Sequence, residues 1–176
     1  MPSYRSIQAY LTACQSDESK LLGLTLGDKV VTPGLYIPRA EAQKAPSLTF
    51  TGTPSNTYLV IALDIDAPFP SLNILGPILH WKQPGLKLQG NGQSVLNSGD
   101  TPFVANYIGP APPPGSGPHR YVFFLYEQPA GFNPAKYAPP NGKNLSNWLR
   151  MRYDLEAFEK EVGLKPAVAT NFFTSN

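Results

Sequence analysis

Tyr58-Leu59-Val60-Ile61-Ala62-Leu63-Asp64-Ile65-Asp66-Ala67-Pro68 decides how the chain must fold. Six consecutive apolar or aromatic residues, bounded by Thr53-Pro54-Ser55-Asn56 and by prolines at 68 and 70, make a strand too short for a helix and too apolar to face water. Such a strand is expected at the centre of a sheet, covered on both faces. It ends in two carboxylates, Asp64 and Asp66, two residues apart, which share a side if the extended conformation continues. A second strand of the same kind, Tyr121 to Tyr126, follows the stiff segment Asn106-Tyr107-Ile108-Gly109-Pro110-Ala111-Pro112-Pro113-Pro114-Gly115-Ser116-Gly117-Pro118-His119-Arg120. Proline fixes its own φ and lacks a ladder donor, so this segment reads as a rigid loop that forms one wall of a ligand pocket. The Asp64–Pro68 cluster is expected on the opposite wall.

Working outward, Ile7, Tyr10, Leu11 and Cys14 recur at helical spacing and predict a short helix ending near Gln15-Ser16-Asp17. Leu22 to Val31 predicts two strands about the Gly27-Asp28 turn, and Ser47 to Thr51 another. Ile78-Leu79-His80-Trp81 predicts a short strand, stopped by Pro84-Gly85, with His80 beside Ile78 on one face and Leu79 beside Trp81 on the other. Leu86 to Thr101 reads as mostly loop with a strand near Val95. Asn144 or Ser146 is placed to cap a short helix through Met151. Asp154 caps a better one, with Leu155, Phe158 and Val162 on one face and Gly163 as its stop. Ala167 to Phe173 reads as a terminal strand. Twenty prolines and fifteen glycines in 176 residues punctuate a folded protein rather than a disordered one. Neither a repeat nor a second domain is evident, so residues 1–176 are expected to form a single domain.

A formal net charge of +2 with scattered basic residues argues against a nucleic-acid partner. No apolar stretch approaches the length needed to span a bilayer. The lone cysteine and the absence of an apolar leader segment point to a cytoplasmic location.

The two histidines, His80 and His119, stand at the ends of strands beside the inferred pocket. A Ser116–His119–Asp64 triad is disfavoured, because Pro114-Gly115-Ser116-Gly117 lacks the first glycine of a nucleophile elbow and leads into a strand. The same glycines lack the third member of a dinucleotide fingerprint. No metal site is expected, since the histidines and aspartates follow no ligand spacing, and no cofactor is implied. Loop amides, imidazoles and a tyrosine hydroxyl suit an anion such as phosphate or carboxylate. Asp64 and Asp66 would then orient or charge the histidines.

Asp64-Ile65-Asp66-Ala67-Pro68 resembles the Asp-Pro-Asp-x-Pro segment of the phosphatidylethanolamine-binding protein family. Gly115-Ser116-Gly117-Pro118-His119-Arg120-Tyr121 resembles its Gly-x-Gly-x-His-Arg-Tyr segment. Leu79-His80-Trp81, Tyr107-Ile108-Gly109 and the ending from Asp154 to Phe173 agree in order, and the wording around His80 is similar to fungal members. The resemblance implies a mainly β fold: a large antiparallel sheet packed on a second smaller sheet, with short peripheral helices near both termini. It implies a ligand pocket of Asp64, Asp66, Pro68, His80, Gly109, Ala111, Pro112, Pro113, His119 and Tyr121, with Arg120 structural. Ile65, Ile78 and Pro110-Ala111 depart from the family's pattern.

Three functions follow from the resemblance. The first is a binding protein for a small anionic ligand, such as a lipid headgroup or a carboxylate or anhydride metabolite, that modulates a protein partner such as a protease or kinase. The second is a secondary-metabolite enzyme, similar to fungal relatives implicated as cyclases in maleidride formation, with His80, His119 and Asp64 as its catalytic residues. The third is an inhibitor of the carboxypeptidase Y type.

Overall fold

The computed structural model describes residues 5–89 and 94–176. In chain order its elements are α1 (Arg5–Ser16), β1 (Gly23–Leu26), β2 (Lys29–Val30), β3 (Leu35–Tyr36), β4 (Ser47–Thr49), β5 (Tyr58–Asp64), β6 (Ile78–Leu88), β7 (Val95–Asn97), β8 (His119–Glu127), α2 (Leu155–Val162) and β9 (Ala169–Ser175), with short 3-10 turns in the connections. Every residue of β5 is buried. It lies between β6 and β8, antiparallel to both.

Two apolar clusters explain why β5 has no polar face. Leu59, Ile61 and Leu63 point into a layer with Val122, Phe124 and Tyr126 of β8, covered by Ile7, Leu11 and Cys14 of α1 and by Leu155 and Phe158 of α2. Tyr58, Val60 and Ala62 point the other way, into a layer with Tyr121, Phe123, Leu125 and Phe173, and they meet Leu24, Leu26 and Leu48 from the far part of the same sheet. Burial of side chains this size contributes roughly 1.5–3 kcal/mol each, which makes these layers the main stabilising term.

The expected pair of antiparallel sheets is corrected: among the described residues there is one curled, mixed sheet of nine strands in the order β2-β1-β4-β7-β6-β5-β8-β9-β3. Its edge strand β3 runs parallel to β9, with Leu35 opposite Phe173. The unity comes from β6, which is longer than the sequence suggests. One part of it pairs with β5, while Lys87 and Leu88 pair with β7. Pro84-Gly85 does not stop the strand, because both residues fall in an irregularity where the register passes from Val60–Gln83 to Tyr58–Leu86. A proline there leaves no ladder donor missing, and Gly85 N–H donates to the Gln128 side chain at 2.8 Å.

A second irregularity lies at His80. Ala62 pairs with Trp81 and Leu63 with Leu79, so His80 is the extra residue of a β-bulge. The bulge breaks the simple alternation: Leu79 packs in the helix-covered layer, whereas Trp81 packs against the other cluster. Leu79 and Trp81 therefore do not share a face.

Both helices lie where their periodicity predicts. Asp154 caps α2 by accepting from Ala157 N–H at 2.9 Å, and Gly163 ends it at φ +69, a left-handed position that favours glycine. The segment near Ser146 forms only a 3-10 turn, Asn147–Leu149, with no side-chain cap. The expected loop between Leu86 and Thr101 falls partly outside the described residues; within them β6 runs to Leu88 and β7 occupies Val95–Asn97.

Under α2 lies one unexpected group. Lys82 on β6 is buried, with Nζ 3.4 Å from the Phe158 ring centroid and 4.6 Å from that of Tyr153. Burial drives its pKa down to about 7, against a smaller opposing pull from Glu161. No helix among the described residues is long and apolar enough to cross a membrane.

Candidate functional site

Where β5 ends, the chain leaves the ladder at once. Asp66 N–H donates to Asp64 Oδ1 at 2.9 Å, a local turn that stops the extended conformation. Asp64 and Asp66 consequently part company, contrary to the expectation that they share a side. Asp64 Oδ2 meets His119 Nδ1 at 2.8 Å, both side chains being almost fully buried. Asp66 instead holds Arg120 in a fork: Nε donates to Oδ2 at 2.8 Å and Nη2 to Oδ1 at 2.6 Å, while the Arg120 backbone N–H also donates to Oδ2 at 2.8 Å. Arg120 ties the start of β8 to the end of β5, and its neighbour His119 is held against Asp64.

The bulge delivers His80 to the same place. Its Nδ1 lies 2.8 Å from the Ile108 carbonyl, and Ile108 N–H donates to the His80 carbonyl at 2.9 Å. A carbonyl can only accept, so Nδ1 carries the proton and Nε2 is the nitrogen left for a ligand. The proline loop is thereby pinned to β6. Gly109 is required by close approach: a Cβ there would lie 2.6 Å from Gln43 Oε1 and 2.8 Å from Gln43 Cα. The Gln43 amide donates to the Pro110 carbonyl at 3.1 Å.

Between these walls lies a cavity of about 260 Å³. Of the residues predicted for the pocket, Asp64, Pro68, His80, Gly109, Ala111, Pro112, Pro113 and His119 line it. Asp66 and Tyr121 do not. Asp66 is turned to Arg120. Tyr121 stands behind His80 in an edge contact at 5.0 Å between centroids and stacks on Phe173 at 5.3 Å. Ser116 is also outside the lining, its hydroxyl donating to the Gly117 carbonyl at 3.0 Å.

Sequence reasoning missed the apolar part of the wall, Leu75, Ile78, Ile108 and Met151, and the polar Asn147 and Arg150. The sequence places Ile78 beside His80 on a strand and marks it as a departure from the family's pattern, without assigning it to the pocket. The segment from Asn147 to Met151 carries no motif; its one signal is a cation set directly after the apolar pair Trp148-Leu149. It reaches the site because the Arg150 carbonyl accepts from Leu79 N–H at 2.8 Å and Arg152 N–H donates to the Leu75 carbonyl at 3.0 Å.

The two imidazoles are driven in opposite directions. Burial lowers the pKa of His80 below 6.5, and the Asp64 carboxylate and the Ile108 carbonyl only partly offset this. Burial acts on His119 in the same sense, yet its hydrogen bond to Asp64 and the charges of Asp64 and Asp66 outweigh it, so its pKa is raised. His119 Nε2 is buried without a hydrogen-bond partner. The site thus places a neutral imidazole and an imidazole that favours its proton around one cavity, an arrangement suited to holding an acidic molecule or moving a proton on it.

The family model for phosphatidylethanolamine-binding proteins matches residues 27–172. The chain is 37% identical to the phomoidride biosynthesis cluster protein N of Talaromyces stipitatus, over 86% of this chain and 82% of that one. It is 33% identical to the carboxypeptidase Y inhibitor of Saccharomyces cerevisiae, over 81% and 77% of the two chains. Among solved structures, a carboxypeptidase Y inhibitor complexed with its cognate proteinase superposes with a TM-score of 0.74 at 25% identity, covering 97% of this chain and 93% of the other. The protein therefore belongs to the phosphatidylethanolamine-binding protein family.

Proposed function

We propose that the cavity binds a small acidic metabolite and that His119 and His80 act on it as an acid and base pair. The observation that carries this reading is the placement of both imidazoles in the lining of one cavity, His119 with Nδ1 on the Asp64 carboxylate and His80 with Nδ1 on the Ile108 carbonyl. His119, held by Asp64 through Nδ1, presents Nε2–H to the ligand when charged; His80, with Nδ1–H committed to Ile108, presents Nε2 as the acceptor. Asp64 is a positioning residue in this scheme, since it fixes the tautomer and charge of His119 without needing to touch the ligand. The likeness to a protein of a biosynthesis cluster supports a place in secondary metabolism. The test is nitrogen NMR of both imidazoles during titration with acetate, succinate and inorganic phosphate. Displacement of both signals is expected, and absence of any displacement with all three would remove the reading.

A second reading is inhibition of a carboxypeptidase Y-type protease, supported by the 33% identity and the 0.74 TM-score to such inhibitors. It predicts stoichiometric loss of carboxypeptidase Y activity on addition of the purified chain. Full protease activity at a large molar excess would end it.

A further inference from the structure

We propose that Arg150 is the charge partner of the ligand, so that the cavity takes a monocarboxylate with a short apolar body rather than a phosphate ester or a neutral analogue. This rests on the small-acid reading above and narrows it.

Arg150 is 1% exposed, yet its guanidinium meets no carboxylate among the described residues. Its hydrogen bonds go to neutral acceptors. Nε donates to the Leu145 carbonyl at 3.2 Å, Nη1 to the Leu79 and Asn106 carbonyls at 3.1 Å each, and Nη2 to Asn106 Oδ1 at 2.5 Å. These bonds fix the plane of the group without neutralising it. A guanidinium does not discharge at ordinary pH, so the interior holds a permanent positive charge of the kind that is normally paired. Arg150 belongs to the cavity wall, and its charge is felt at His80, whose proton it disfavours.

The composition of the rest of the wall selects the ligand class. The Asp64 carboxylate is matched by His119, which leaves Arg150 as the unmatched charge. A phosphate monoester carries roughly 1.5–2 negative charges near neutral pH. Its second charge would be left over, because the other cation of the wall, charged His119, is already matched by Asp64. A carboxylate brings one charge, and one of its oxygens can meet the single N–H that Nη2 has left after the other four are spent. Leu75, Ile78, Ile108 and Met151 offer surface only to an apolar body.

The experiment is calorimetric titration of the wild-type chain with hexanoate, hexanamide and hexyl phosphate at fixed pH and ionic strength, with the two imidazole signals followed by NMR. Hexanoate is expected to bind at least about tenfold tighter than hexanamide, as a charge-assisted hydrogen bond predicts, and hexyl phosphate no tighter than hexanoate. Equal binding of hexanoate and hexanamide overturns the role of Arg150 while leaving the pocket reading in place. Tighter binding of hexyl phosphate overturns the ligand class. If no probe moves either imidazole, the small-acid reading beneath this one fails. Arg150→Gln is expected to abolish the preference for hexanoate over hexanamide, and Arg150→Lys to retain it in weakened form. Because Arg150 also ties Leu79, Asn106 and Leu145 together, the variants are read only where near-ultraviolet circular dichroism matches wild type, and the wild-type series decides the question without them.

Discussion

Replacing Lys82 with methionine should stabilise the protein at neutral pH, although it removes a charge and two ring contacts. In the folded chain the amine has a pKa of about 7, against 10.5 for a free lysine side chain. Each tenfold change in proton affinity is worth about 1.4 kcal/mol. Burying this amine therefore costs roughly 4 kcal/mol at pH 7 relative to the unfolded chain, which keeps its proton. The sign follows from the unfolded state binding more protons: the cost is full below about pH 7 and has disappeared above 10.5, so wild-type stability gains with rising pH in that window. Methionine keeps most of the volume beside Phe158 and Tyr153 and needs no proton. The contacts of Nζ with those rings, worth about 2 kcal/mol when desolvated, set the lower limit of the gain. Lys82→Met is thus expected to be about 2–4 kcal/mol more stable at pH 7 and within about 1 kcal/mol of wild type at pH 10. Urea unfolding followed by tryptophan fluorescence at both pH values measures the difference. A variant less stable than wild type at pH 7, or a difference that does not shrink at pH 10, would refute the reasoning.

Asp64→Asn should lower the apparent pKa of His119, because burial is then opposed only by the Asp66 charge and the Pro68 carbonyl; imidazole NMR titration reads the change directly. In wild type the His119 contribution to stability is present below about pH 6.5 and is lost as pH rises through the raised folded value. His80 contributes with the opposite sign, losing stability as pH falls below about 6.5, and Asp64→Asn should strengthen that slope, since Asp64 opposes the effect of burial on His80, while weakening the one from His119. Gly109→Ala should force the proline loop away from Gln43, at a cost of about 1–3 kcal/mol, and should abolish ligand-induced displacement of the imidazole signals. Unchanged stability and unchanged displacement would show that the loop is not seated as tightly as the Gln43 contact indicates.

The elements that the sequence made legible are those whose burial is uniform or strictly periodic. β5 and β8 announce themselves as unbroken apolar runs, and α1 and α2 as stripes at helical spacing, the second with its Asp154 cap and Gly163 stop. Among pocket residues, His80, His119, Asp64 and the proline loop were legible because polar groups beside strand ends and stiff loops are locally unusual. What could not be read depended on pairing between distant segments. Pro84-Gly85 looks like a terminus unless the bulge that accommodates it is known. Arg150 sits in a stretch without periodicity and is held at the cavity by its carbonyl, which accepts from Leu79 N–H, and by its guanidinium, which donates to the Asn106 carbonyl. Asp66 has the same chemistry as Asp64, and only the turn after β5 separates their roles.

The surplus residue at position 80 means that the scaffold and its chemistry are encoded separately. Removing that one codon would let Leu79 and Trp81 fall into a regular ladder opposite Leu63 and Ala62, and the central strands would close over the gap. The molecule would keep its architecture and lose one of its two imidazoles in a single step. A lineage of this fold can therefore shed or regain a reactive cavity by a change of one residue in length, while the layers that hold the protein together remain unaltered.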